Sequence, residues 1–189
     1  MKKYKWVIIT LAVVLLVGVA FVGFSVWYVR ANPTANLNNY EAYTYAPLSI
    51  SMLIPKGCAV EPSGTHGFTC QSKENIIIVF AEKVTPVTLV HSLSNPADDE
   101  HITDPRRAWE YTATTHSLCR NDSYGSCTYD TFKKYPAITS VVQTSKDKTV
   151  GIMTFLKGDM SYTIQVYGKT RTEVQSILAT LQMKFSFTN

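Results

Sequence analysis

Charge is scarce in this sequence: 17% of its 189 residues are Asp, Glu, Lys or Arg, while 46% are hydrophobic. That balance excludes a disordered polar chain, which cannot bury enough apolar surface to offset its ordering entropy. Nine glycines and eight prolines likewise exclude a collagen-like or low-complexity chain. Signatures of common catalysis are missing too. There is no Gly-x-Ser-x-Gly elbow for a nucleophilic serine, no glycine-rich phosphate cradle and no dinucleotide fingerprint. No Cys-x-x-Cys occurs, so dithiol redox chemistry and paired zinc ligands lack their usual spacing. No cofactor is expected.

The net charge of +4 points at first to a polyanion partner, but the basic residues are unevenly placed. Lys2, Lys3, Lys5 and Arg30 flank one apolar run, leaving 14 basic against 14 acidic residues in the remainder. A neutral domain has no surplus of cations to displace counterions, so no nucleic acid partner is expected.

What is present, first, is that run. Trp6 to Val29, WVIITLAVVLLVGVAFVGFSVWYV, holds 24 residues without a charge. As a helix it would extend roughly 36 Å at ~1.5 Å per residue, enough to cross a bilayer with some tilt. Trp6 at one end and Trp27 with Tyr28 at the other mark the headgroup layers. Three lysines before the run and one arginine after it predict a cytoplasmic residue 1–5 tail, a transmembrane anchor over 6–29, a linker over 30–39 and an extracytoplasmic domain over 40–189. The expected location is the cell membrane, with the lipid bilayer contacted through Trp6 to Val29. A cleaved signal peptide is the competing reading, since Val29-Arg30-Ala31 meets the small-residue rule for cleavage. Secretory h-regions of about 7 to 15 residues are shorter than this run, which favours an uncleaved signal-anchor. Gly18 and Gly23 lie five apart, so the usual small-xxx-small dimer motif is absent.

All four cysteines, Cys58, Cys70, Cys119 and Cys127, follow the run, on the side where disulfides persist. Eleven and seven residues intervene within the two pairs and forty-eight between them, which suits two local loops, Cys58 with Cys70 and Cys119 with Cys127. The two other connectivities stay open.

Along the domain, Leu48, Ile50, Met52 and Ile54 alternate up to Pro55 as a strand with one buried face, and Ile76 to Phe80 reads as a short apolar strand paired with Gly67 to Gln71. Val84 to Thr103 lacks a period and reads as loop. Asp104 before Pro105 is a helix start, with Trp109, Thr112, Ala113 and His116 on one face. Strands are expected over Thr128 to Phe132, Ala137 to Ser145 and Val150 to Lys157, with turns at Lys146-Asp147-Lys148 and Lys157-Gly158-Asp159. In a fourth strand Tyr162, Ile164 and Val166 point inward, alternating with Ser161, Thr163 and Gln165. Thr170 and Glu173 have the capping-box spacing, and Val174, Ile177, Leu178 and Leu181 form the apolar stripe of a closing helix. Lys184 to Phe187 can add an edge strand. The fold class is α+β, an antiparallel sheet packed against helices behind an N-terminal transmembrane helix.

This order, a strand ending at Ile54-Pro55, a helix, a meander carrying MSYTIQVYG and a final helix EVQSILATLQMKF, resembles the PsbP and Mog1-like superfamily from Tyr40 to Asn189. The resemblance implies an α/β sandwich acting as a non-enzymatic binding or assembly module, and no functional residue carries across from it.

His91, Asp98, Asp99, Glu100, His101 and Asp104 form the densest group of metal-ligand types, without the alternating carboxylates and central glycine of a calcium loop. A solvated loop before a helix N-terminus explains the same acids. His66 and His116 read as loop and helix-face residues. Tyr40, Tyr43 and Tyr45 read either as a first strand or as a partner site. The expected function is therefore a membrane-anchored, extracytoplasmic binding or accessory module, a non-catalytic subunit of an envelope assembly with a protein partner. The enzyme alternative is a metal-dependent hydrolase using His91 and the Asp98 to Asp104 region.

Overall fold

In a computed structural model, residues 37–89, 100–115 and 127–188 are described. The centre of the architecture is a seven-stranded sheet in which every neighbouring pair is antiparallel. Its strands are β3 (Ala59–Ser63), β4 (Gly67–Gln71), β5 (Ile76–Lys83), β8 (Cys127–Phe132), β9 (Tyr135–Ser145), β10 (Lys148–Lys157) and β11 (Met160–Gly168). Their spatial order is β3-β4-β5-β11-β10-β9-β8. A smaller sheet joins β1 (Tyr40–Tyr45), β2 (Ile50–Pro55) and β12 (Ser186–Phe187), and β6 (Val87–Leu89) pairs with β7 (Glu100–Ile102). The α-helices among the described residues are α1 (Pro105–Thr115) and α2 (Arg171–Met183). The expected α+β class is met in these residues. Among them no helix is long and apolar enough to cross a membrane, and the run Trp6 to Val29 lies outside them.

One face of the large sheet makes the main core. The β4 and β5 residues Phe68, Cys70, Ile77, Val79 and Ala81 meet Met153, Phe155, Tyr162, Ile164 and Val166 of β10 and β11. Ile50, Met52 and Ile54 of β2 and Val174, Ile177, Leu178 and Leu181 of α2 close over them. The alternation expected in β2 and β11 and the stripe at i, i+3, i+4, i+7 expected in α2 bury their residues here. Helix α2 starts where the capping box predicts, with Glu173 N–H donating to Thr170 Oγ1 at 3.2 Å and the Glu173 carboxylate accepting from Thr170 N–H at 3.4 Å. Gly151 lets it lie close: a Cβ there would stand 2.5 Å from Val174 Cγ1 and 2.6 Å from Leu178 Cδ1.

Cys58 and Cys70 are disulfide-bonded, with their Cα atoms 5.5 Å apart, tying the approach to β3 against β4. Cys127 is disulfide-bonded as well, while Cys119 lies outside the described residues.

Several local expectations are corrected. Leu48 belongs to a 3-10 turn, Ala46–Leu48, and the strand begins at Ile50 after Ser49 takes a left-handed φ of 49°. Within the expected Val84 to Thr103 loop, β6 and β7 pair, too short for periodicity to register. Lys133 and Lys134 close the β8–β9 hairpin with φ of 49° and 73°, conformations usually signalled by Asn-Gly. Ser161 and Thr163, placed outward by alternation, are buried, because α1 and the groove beside it occupy the second face of the sheet.

Candidate functional site

Of the expected metal-ligand group, His91, Asp98 and Asp99 lie outside the described residues. The other three are hydrogen-bonded elsewhere, two of them by Arg107. Glu100 Oε1 accepts from Arg107 Nη2 at 2.9 Å, His101 Nδ1 is 3.0 Å from Thr88 Oγ1, and Asp104 Oδ1 accepts from the Arg107 N–H at 2.9 Å. Asp104 thus caps α1, the role its position before Pro105 predicts. No group of three or more His, Cys, Asp or Glu capable of holding a metal occurs among the described residues. His116 also lies outside them. The three tyrosines divide: Tyr43 and Tyr45 pack on Phe68 with ring centroids 4.9 and 5.2 Å away, and the Tyr45 hydroxyl donates to the Gly64 carbonyl. Tyr40 is half-buried beside α2, where burial raises its phenol pKa, a hydrogen bond with Thr180 opposes that, and the Glu173 carboxylate adds to the rise.

The second face of the large sheet holds a concavity. Register alone sets its rows: Leu156, Ser161 and Glu82 lie side by side on β10, β11 and β5, then Thr154, Thr163 and Phe80, then Ile152, Gln165 and Ile78. Rows repeat about every 6.7 Å and strands about every 4.8 Å. Helix α1 crosses the β10 side, where Trp109 and Ala113 pack with Ile138 and Leu156. Over β11 and β5 a groove of about 450 Å³ remains, walled by Trp109, Thr112 and Phe80, floored by Thr154, Ser161 and Thr163, and bordered by Glu82 and Lys83.

Hydrogen bonding on the floor is directional. Trp109 Nε1–H donates to Thr154 Oγ1 at 3.2 Å, and Thr163 Oγ1 donates to the same oxygen at 3.3 Å. A hydroxyl has two acceptor sites and one proton, so Thr154 gives its proton to Ser161 Oγ, 3.2 Å away. Among the described residues, Ser161 keeps its proton and Thr163 keeps acceptor capacity, both at the groove floor. Gln165 accepts from the Tyr167 hydroxyl at 3.0 Å, which leaves its amide protons to donate. The Lys83 ammonium lies 3.3 Å from the Asp159 carboxylate, whereas Glu82 has no ion-pair partner among the described residues. The site is polar at its base, aromatic at its walls and acidic at one border.

Residue-type reasoning did not single out Thr154, Ser161, Thr163, Phe80 or Glu82. The one signal available was the row of hydroxyls alternating with Tyr162, Ile164 and Val166. Its meaning depends on Trp109, 45 positions before Thr154 in the chain.

The described residues thus form an antiparallel α+β domain with a groove on the α1 face. The chain is similar to the solution structure of cyanobacterial PsbP from Synechocystis, with a TM-score of 0.48 and 9% identity, over 81% of this chain and 95% of that one. A crystal structure of a protein from Bacteroides thetaiotaomicron is also similar, with a TM-score of 0.43 and 11% identity, over 80% of this chain and 49% of that one. No protein-family model and no curated protein matches.

Proposed function

We propose that this chain is a single-pass membrane protein that presents a disulfide-bonded α+β domain outside the cytoplasm as a non-catalytic binding or accessory module of an envelope assembly. The observation that carries the binding role is the α1 groove, whose floor combines a spare donor and a spare acceptor beneath aromatic walls. Such a surface recognises by shape and hydrogen bonding, the pattern of pockets that hold a partner group. The uncharged Trp6 to Val29 run with lysines before it supports the anchor and its orientation. The Cys58–Cys70 disulfide supports an oxidising compartment.

Site-specific photo-crosslinking in the native membrane tests this reading. A photoreactive residue at Thr112, exposed at the groove, is expected to give a discrete adduct with a second envelope protein. The same residue at Lys56, exposed and away from the groove, is expected to give none. No adduct at Thr112, together with a lone chain carrying stoichiometric metal in native mass spectrometry, would overturn the binding role. Attention would then turn to the Asp98 to Asp104 region.

A further inference from the structure

We propose that the α1 groove takes an organic cation, an ammonium group carried on an apolar body; this rests on reading the domain as a binding module and names the chemistry its groove selects. Charge comes first. The groove border holds one acid and one base, Glu82 and Lys83, and Asp159 neutralises the base at 3.3 Å. What remains is the Glu82 carboxylate, exposed and without an ion-pair partner among the described residues. Glu61 adds a second such carboxylate on the same sheet face, since it pairs with Thr69, which in turn pairs with Ile78. Among the described residues, the charges at the groove border therefore favour a cation and disfavour an anion.

Shape and hydrogen bonding point the same way. Glu82 lies two residues from Phe80 along β5, about 6.7 Å at strand spacing, so an ammonium reaching the carboxylate also passes the Phe80 ring. Helix α1 covers the β10 side of the face, and Phe80, Ile78 and Ile152 beyond it stay only half-buried. Their apolar surface matches the body of such a ligand. An ammonium has three donors and no acceptor. Glu82 accepts one of these and the spare capacity of Thr163 another, while the Ser161 proton and the Gln165 amide serve any acceptor on the same ligand. The group can come from a free amine or from a lysine beside an apolar residue in a partner's chain.

The test uses the full-length chain in mild detergent with ¹⁵N-labelled tryptophan. Trp109 donates its indole N–H to Thr154 at the groove wall, so its signal reports occupancy, and the Trp6 and Trp27 signals serve as internal references. Three probes of one shape are titrated: 2-phenylethylamine, 2-phenylethanol and 3-phenylpropionate. The amine is expected to shift the Trp109 signal saturably, the alcohol about tenfold more weakly, and the carboxylate not at all, the order of effect a charge-assisted hydrogen bond carries. Glu82→Gln is expected to remove most of the amine's advantage and leave the alcohol unchanged. A blocked peptide, N-acetyl-Leu-Lys-Phe-amide, separates the sources: tighter binding than the amine assigns the site to a lysine-bearing chain, weaker binding to a free amine. Equal binding of amine and alcohol, or an amine affinity unmoved by Glu82→Gln, would overturn the cation while the groove remained a site. If no probe moves Trp109, the site itself is overturned, and a Thr112 crosslink would then still support a protein partner.

Discussion

Replacing Gly151 with alanine probes the contact that seats α2 on the large sheet. The added Cβ would meet Val174 Cγ1 at 2.5 Å and Leu178 Cδ1 at 2.6 Å, where carbon atoms settle at about 3.5 to 4.0 Å. Relieving an overlap of about 1 Å requires α2 to shift, although Val174 and Leu178 sit in the main core. Overpacking of this kind costs about 1 to 3 kcal/mol. Alanine in a strand recovers roughly 0.5 to 1 kcal/mol that glycine loses in backbone entropy. The net expectation is a loss of about 1 to 2 kcal/mol, or about 3 to 6 °C in Tm for a domain of this size. Urea denaturation followed by circular dichroism measures it. Adding Leu178→Ala supplies an internal check, because the new Cβ then fills part of the space left by the leucine. The double variant should lose about 1 kcal/mol less than the sum of the two single losses. A neutral or stabilising Gly151→Ala, or strict additivity, would refute the close seating of α2.

Three further outcomes are expected. Replacing Cys58 and Cys70 together with alanine, which opens a link across a sequence separation of 12, should lower unfolding free energy by about 3 kcal/mol in the loop-entropy account; a loss under about 1 kcal/mol in oxidised protein would contradict it. Changing Lys133-Lys134 to Asn-Gly should stabilise the β8–β9 hairpin by roughly 1 to 2 kcal/mol, because both positions have positive φ, and an unchanged urea midpoint would count against that turn. Burial raises the Tyr40 phenol pKa, against the Thr180 hydrogen bond and with the Glu173 charge, and burial followed by the charge of Tyr135 raises that of Tyr162. The folded state thereby favours neutral phenols, a contribution complete below the ordinary tyrosine value of about 10 and lost as pH climbs through the raised values. Urea midpoints measured from pH 9 to 11.5 should fall above 10, and less steeply in Tyr40→Phe with Tyr162→Phe.

Elements whose residues carry their own periodicity were legible from the sequence. Alternation in β2 and β11, the stripe of α2 and its Thr170–Glu173 box all rest on local geometry, where i, i+2 or i+4 spacing states which side is buried. Helix α1 was legible for a different local reason: Asp104 and Pro105 suit the first turn whatever packs above it. The lysine hairpin was not, because a positive φ is imposed there by register between β8 and β9 and not by residue preference. Nor was β6–β7, whose strands have three residues each.

The groove shows the division most clearly. By itself the sequence determined that β11 has an apolar face, that Trp109 lies on a helix and that Phe80 ends an apolar run, since each follows from neighbours a few residues away. Only the tertiary structure decided that these meet. Antiparallel register set Ser161 beside Glu82 and Thr163 beside Phe80, and the crossing of α1 brought Trp109 to Thr154. A hydroxyl's exposure is decided by what covers it, and that cover lies tens of residues away, beyond the reach of any local pattern.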